Sequence, residues 1–327
     1  MFRSPDHGAR GRTRRVWIDS DLAVGSPWRE VDDGYALLLA ARSPGLRIAG
    51  ISSSYGNASL PITAARTRES LGLALAVSPG ARSAADLGLA TEATRGLKAA
   101  LRQNKLTYIA LGPLTNLATF IQLHPGLATR IDQIIMVAGE STSADLAFGP
   151  AKIFRMHDAN VRKAVNAVIG LDTEFEPRRR QHGVEDPNAV RAILRTRIPI
   201  LLAPIETSAR LLVDRADLRA IAQRGPAGNY LAERSRFWFW FWTTIARKKG
   251  GPIFDALAIV AAVRPGLIMI EDGYAAVDAD GKLIVRREAA SGRAVQFCSN
   301  FAPATKTFVL KRLTAPRAKS AHAPRDR

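Results

Sequence analysis

The stretch Val16-Trp-Ile-Asp-Ser-Asp-Leu22, taken up again at Val31-Asp-Asp-Gly-Tyr-Ala-Leu-Leu-Leu-Ala40, decides how the chain is read. Val16 to Ile18 is an apolar run that predicts a short buried strand ending in Asp19 and Asp21, and a helical pattern then starts at Asp32 and Asp33. Carboxylates from both segments meet at one strand end. Like charges in a partly closed site repel, so the cluster calls for a cation or for protons. A hard, oxygen-seeking ion suits it. Calcium, which takes about six to eight oxygens and accepts bidentate carboxylates, suits it better than magnesium with its tight octahedron. By itself Asp32-Asp33 also reads as a helix cap with Asp19 and Asp21 in a solvated loop. The strand-end Asp-x-Asp beside it favours the metal.

Outward from that stretch, strands and helices alternate. Leu46 to Ser54 reads as a second strand, followed by Tyr55-Gly56-Asn57 and a helix over about 61–76. Ser78-Pro-Gly-Ala-Arg-Ser83 reads as a turn, 92–103 as a helix, Leu106 to Leu111 as a buried strand, Leu114 to Leu123 as an amphipathic helix and Ile131 to Ala138 as a strand. The alternation predicts one α/β domain with a mostly parallel open sheet flanked by helices, and ligands outside the carboxyl ends of its strands. After a less regular middle the pattern recovers with a helix from 187, a strand over 198–204 and a helix from 214. Arg236-Phe-Trp-Phe-Trp-Phe-Trp242 packs six aromatics into what its flanks make a long helix; core packing or a subunit interface explains them, with a ring stacked on an aromatic base as the alternative. A helix over 255–263 and strands near 268–277, 283–287 and 293–298 close the chain as a small β extension.

Composition sets limits. The 327 residues suffice for one large domain over 16–310, with basic tails expected to be disordered at 1–15 and 311–327 and a surface insertion at about 165–185. The single Cys298 excludes an internal disulfide framework, and no Cys/His spacing suggests zinc. No apolar run follows the N-terminal arginines and none is long enough to span a bilayer, so a cytoplasmic protein is expected. The net charge of +18 raises the question of nucleic acid, but about half of the excess sits in the tails and no recognised motif accompanies it. The tails read as solubilising or incidental, without a specific nucleic-acid or membrane partner.

Five segments together resemble the inosine–uridine-preferring nucleoside hydrolases. They are Ile18-Asp-Ser-Asp21 with Val31-Asp-Asp-Gly-Tyr-Ala-Leu37; Gly50-Ile-Ser-Ser-Ser-Tyr-Gly-Asn57; Ala110-Leu-Gly-Pro-Leu-Thr-Asn-Leu-Ala118; Asp186-Pro-Asn-Ala-Val190 with Ile198 to Thr207; and Gly251-Pro-Ile-Phe-Asp-Ala-Leu-Ala258. The resemblance implies a Ca²⁺-dependent enzyme of nucleoside catabolism and purine or pyrimidine salvage that cleaves the N-glycosidic bond of ribonucleosides with water, as a homo-oligomer (dimer or tetramer). It implies Asp21 as calcium ligand and general base, Asp33 and Asp255 as further ligands, and a backbone carbonyl around Glu140. Asp19 and Asp32 would support the metal and grip the ribose, and Asn57 would face the sugar. Ribose hydroxyls are oxygen donors that replace calcium's waters, and the transition state is oxocarbenium-like.

Three departures stand out. Leu22 to Val31 makes the loop between Asp21 and Asp32 long, which resembles a bacterial branch of the family. Phe254 stands where many members carry the His that protonates the leaving base, and no His lies between His182 and His322. The ribose-gripping Asn before Asp186 is matched first by Asn160 and second by His182. Two functions follow: an active ribonucleoside hydrolase, or a catalytically weak nucleoside- or ribose-binding protein on the same scaffold. A basic nucleic-acid-binding protein is a distant third.

Overall fold

The computed structural model describes residues 13–24, 30–56, 60–72, 76–141, 186–288 and 291–315. The expected surface insertion at 165–185 lies outside them. Strand β1 (Arg14–Ser20) runs into the loop before helix α1 (Asp32–Ala41), followed by β2 (Leu46–Ser53), α2 (Leu60–Leu71), β3 (Val77–Pro79), α3 (Glu92–Gln103) and β4 (Leu106–Ala110). Next come α4 (Thr115–Leu123), α5 (Pro125–Ala128), β5 (Ile131–Val137) and β6 (Glu140–Ser141). Beyond residue 185 lie α6 (Pro187–Leu194), β7 (Ile200–Ala203), α7 (Ile205–Ser208), β8 (Leu212–Val213), α8 (Arg215–Ala222), α9 (Pro226–Arg234) and α10 (Arg236–Trp240). The chain continues through β9 (Gly251–Pro252), α11 (Ala256–Val263), β10 (Ile268–Val277), β11 (Leu283–Arg286), β12 (Arg293–Phe301) and α12 (Ala304–Leu313).

Ten strands form one sheet in the order β3-β2-β1-β4-β5-β7-β12-β10-β11-β6. From β3 to β12 every pairing is parallel, and the β10 hairpins are antiparallel. β1 is therefore central, paired to β2 on one side and β4 on the other.

Both faces of this sheet are covered, as an all-parallel arrangement requires. Alternate residues of each strand feed different cores: Ile18, Ile109 and Ile135 pack with α1 and α11, whereas Trp17, Tyr108, Ile134 and Met136 pack with α3, α4 and α6. Helix α11, Ala-Leu-Ala-Ile-Val-Ala-Ala-Val, is apolar on every side and buried from Ala256 to Ala262. It ties the N-terminus of α1 to the centre of the sheet.

The C-terminal strands form the expected β extension, with β12 joining β7 and prolonging the main sheet. Two local expectations differ from what is observed. Within the segment read as a turn, Ser78 and Pro79 extend a three-residue edge strand from Val77, too short for any period to show. Finally, α12 runs past the expected start of the C-terminal tail at 311: Leu313 is fully buried and its carbonyl accepts a hydrogen bond from Arg42.

Candidate active site

At the carboxyl end of β1, Asp19 is fully buried and both its oxygens are engaged. Ser52 Oγ donates to Oδ1 at 2.5 Å, and Asn116 Nδ2 lies 3.0 Å from Oδ1 and 3.2 Å from Oδ2. Ser52 in turn accepts from Trp17 Nε1 at 2.8 Å, and Asn116 Oδ1 accepts from the N–H of Ala81 at 2.7 Å. Burial raises the Asp19 pKa, while the hydrogen bonds from Ser52 and Asn116 pull it down. Asp19 is thus a hub joining β1, β2, the loop after β3 and the start of α4.

Asp21 follows β1 and lies against backbone from which side chains are missing. A Cβ on Gly56 would fall 2.0 Å from Asp21 Oδ2, and Gly56 has φ +135°, a conformation L side chains rarely adopt. A Cβ on Gly112 would meet Asp21 Cβ and Ser54 Oγ, each at 3.0 Å. Both glycines belong to segments singled out by sequence, and here they make room for one carboxylate.

Carboxylate oxygens of Asp32, Asp33 and Asp255 all lie within 4.8 Å of one another, and all three residues are buried. Asp33 accepts a 2.6 Å hydrogen bond from Ser20 Oγ, while Asp32 Oδ1 is buried with no hydrogen-bond partner. Neither α1 nor α11 receives a side-chain cap bond, so these acids are not doing the work of caps. Burial, then the charges of neighbouring carboxylates, pushes Asp32, Asp33 and Asp255 well up; the charge of Asp21 acts on all three. Such a set is costly unless a positive charge balances it. An all-oxygen donor set with an orphaned oxygen fits a hard divalent cation. The trio contains Asp32, which the resemblance assigns to the ribose, with Asp21 alongside.

The residue before Asp255 is Phe254, 5% exposed, whose ring lies 6.4 Å from that of Trp238 and 6.1 Å from that of Trp242, both edge to face. The aromatic run expected as one long helix is instead α9, then α10, then a π-helical turn over Phe241–Ile245. The wider turn accommodates bulky rings on consecutive positions. Phe239 and Trp242 are buried, in agreement with core packing. Trp238 Nε1 donates to the Pro252 carbonyl at 3.1 Å, while Trp242 Nε1 is buried without a partner.

A family model described as inosine-uridine preferring nucleoside hydrolase matches residues 16–317. The chain belongs to that family. It is 26% identical over 185 residues to a probable uridine nucleosidase 2 of Arabidopsis thaliana, covering 56% of this chain and 49% of the relative. To the pyrimidine-specific ribonucleoside hydrolase RihB of Shigella flexneri serotype 5b it is 22% identical over 175 residues, 53% of this chain and 46% of the relative. The chain thus spans about half the length of these curated relatives. Among solved structures, a plant nucleoside hydrolase, the PpNRh1 enzyme, superposes with a TM-score of 0.70 at 21% identity over 93% of this chain and all of that one. A purine-preferring ribonucleoside hydrolase from Gardnerella vaginalis gives 0.69 at 19% identity, over 92% and 98%. The fold is that of the nucleoside hydrolases.

Glu140 opens β6, paired in register with Ile284. The segment is clamped to α7: the Ile205 N–H donates to the Gly139 carbonyl at 3.1 Å, and the Ser141 N–H to Glu206 Oε1 at 2.8 Å. Burial pushes the Glu206 carboxyl up to about 7. Asn57, Asn160 and His182 lie outside the described residues. Asp186 caps α6 through the Ala189 N–H and accepts from Thr115 Oγ1 at 2.7 Å. Sequence reasoning overlooked Ser20, Ser52 and Asn116. Only Asn116 carried a signal, as a polar residue in an apolar helix directly after Gly112-Pro113. No helix among the described residues is long and apolar enough to cross a membrane.

Proposed function

We propose that the protein hydrolyses the N-glycosidic bond of ribonucleosides, giving ribose and free base, with Ca²⁺ as cofactor. The observation that carries this reading is the gathering of Asp32, Asp33 and Asp255 into one buried trio beside Asp21. The printed activities of the relatives, uridine nucleosidase and ribonucleoside hydrolase, point the same way.

Asp33 and Asp255, with Asp21 and the main chain near Glu140, would hold the ion, and Asp32 flanks them. Calcium there supplies positive charge and coordination positions for sugar oxygens. Asp21 is the general base: its carboxylate takes a proton from the attacking water as the C1′–N bond breaks and the base leaves with the bonding electrons. Asp32 Oδ1, buried and unpartnered, accepts from a ribose hydroxyl. Asp19, saturated by Ser52 and Asn116, fixes the strand from which Asp21 projects rather than offering a free oxygen to the sugar. Asn57, with Asn160 or His182, remains our assignment for the rest of the ribose contacts. The assembly we expect is a cytoplasmic homo-oligomer.

Phe254 favours a second reading, a nucleoside- or ribose-binding protein of weak activity, since a phenyl ring gives no proton to the departing base. Calorimetry with uridine and inosine, run beside an assay for released base, separates the two. Turnover with calcium supports hydrolysis; tight binding without base release supports the second.

A further inference from the structure

We propose that the edge of the sheet formed by the amino ends of its strands, at the opposite end from the carboxylates, is a docking surface for single-stranded nucleic acid, held through its phosphates without base specificity. Strands β2, β1, β4, β5 and β7 are adjacent and parallel, so their amino ends share one side. Each amino end carries cations: Arg47 in β2, Arg14 and Arg15 in β1, Lys105 before β4, Arg130 before β5, and Arg195 and Arg197 before β7. Asp132 is the single acid at these strand starts. With about 4.8 Å between strands, the row from β2 to β7 is about 19 Å long, a length that takes several successive phosphates.

Part of this charge has a structural task. Arg15 donates to the Ala100 and Asn104 carbonyls at the end of α3, and Arg14 reaches Gln133 Oε1. The remainder does not. Arg47, Arg195 and Arg197 are exposed and, among the described residues, make no side-chain hydrogen bond or ion pair; the same holds for Arg102 in the last turn of α3. Arg130 has a buried Nε without a partner. Lys105 meets Asp132 only at 3.9 Å, with both side chains more than half exposed. The positive charges also act on one another: after burial, Arg47 is what lowers the Arg15 pKa.

Unpaired cations held in a row by a rigid sheet are relieved by a polyanion, which gives up its own counterions on binding. Guanidinium groups dominate the row, and their forked donors match phosphate oxygens better than a compact ammonium does. A strand docked there leaves the carboxyl ends of β1, β2, β4 and β5 open, so nucleic acid and nucleoside would not compete. The inference stands whether or not the chain hydrolyses nucleosides.

The test uses full-length protein and a fluorescein-labelled 20-nucleotide uridylate RNA, with anisotropy read from 50 to 300 mM salt. One variant carries R47S, R102S, R195S and R197S; a second carries serine at Arg3, Arg10, Arg12, Lys319, Arg325 and Arg327. Removing four phosphate contacts should flatten the slope of log K against log salt by about 3 and weaken binding at least tenfold at 50 mM. The tail variant should keep most of the wild-type slope. Matching melting temperatures confirm folding, and if the quadruple variant melts early, single R197S and R47S proteins replace it, each expected to cost about 0.7 in slope. The proposal is overturned by absent wild-type binding at 50 mM salt, by unchanged binding in the sheet variants, by loss confined to the tail variant, or by binding to phosphatidylglycerol vesicles without binding to RNA.

Discussion

Asn116 Nδ2 sits 3.0 and 3.2 Å from the two oxygens of Asp19, and the same side chain accepts the Ala81 N–H through Oδ1. One amide therefore satisfies a buried carboxylate and a buried main-chain donor. Asn116→Ala strands both, and the cost of leaving buried polar groups unpaired is about 1–3 kcal/mol, more for a charged one. We expect about 3 kcal/mol lost in urea unfolding, and a larger loss for Asn116→Asp, which sets a second carboxylate against the first. A loss below about 1 kcal/mol for the alanine variant would show that the hub is dispensable.

Gly112→Ala tests the seat of Asp21. The new methyl group would press on Asp21 Cβ and Ser54 Oγ, both 3.0 Å from its position. A displacement of even about 1 Å in a reacting group costs on the order of 10²-fold in rate. Expected is a fall of that size in kcat with little change in melting temperature, read by base release and calorimetric scanning.

Calcium should stabilise the folded chain. A cation balances the trio of buried carboxylates, and a ligand at 100 times its Kd adds about 2.7 kcal/mol by mass action. Melting curves with EDTA and with excess calcium should therefore differ by several degrees, and Asp255→Asn should abolish most of the difference. Identical curves would count against the assignment.

Glu206 gives a pH signature. Its carboxyl is pushed up to about 7 by burial, above the ordinary 4.5. The folded state therefore holds a proton that the unfolded chain has released between those values, so stability falls as pH rises from about 4.5 to 7 and stays lowered beyond. Gln keeps an oxygen for the Ser141 N–H and cannot ionise. Glu206→Gln should melt higher than wild type at pH 8, with the gap closing toward pH 4.5; a gap independent of pH would refute the titration.

Phe254 bears on the leaving group. A riboside with an intrinsically good leaving group, such as the O-glycoside p-nitrophenyl riboside, needs no proton there and should be cleaved with a far higher kcat/KM than inosine or uridine. Phe254→His should narrow that ratio, though the imidazole must enter a site bounded by the Trp238 and Trp242 rings. Equal kcat/KM values in wild type would mean that another acid serves the base.

The sheet was legible because its strands are buried on both faces and read as dense apolar runs, as at Leu106 to Ala110 and Ile131 to Val137. The acids were legible because Asp-x-Asp at a strand end and Asp-Asp at a helix start are conspicuous. Their partners were not. Ser20 and Ser52 look like any strand serine, and only folding brings Ser20 to Asp33 and Ser52 between Trp17 and Asp19. Helix α12 escaped notice because its mixed Thr, Lys and Arg content reads as tail, while its burial depends on contacts with α1, α8 and α11 that lie far away in sequence. The aromatic run has period-2 and period-3.6 readings at once, which a π turn partly reconciles.

β1 has consequences for how the protein breathes. It is paired on both edges, and beyond the last residue of β4 the Leu111 N–H still donates to the Asp19 carbonyl at 2.8 Å. Amides so placed exchange with solvent deuterium only when the whole domain opens, unlike those of fraying segments. The Ile18, Asp19 and Leu111 amides should thus be among the last to exchange, and β1 should hold Asp19 in place until the domain opens. This anchor of the acid cluster should persist as long as the domain does, and disappear with it.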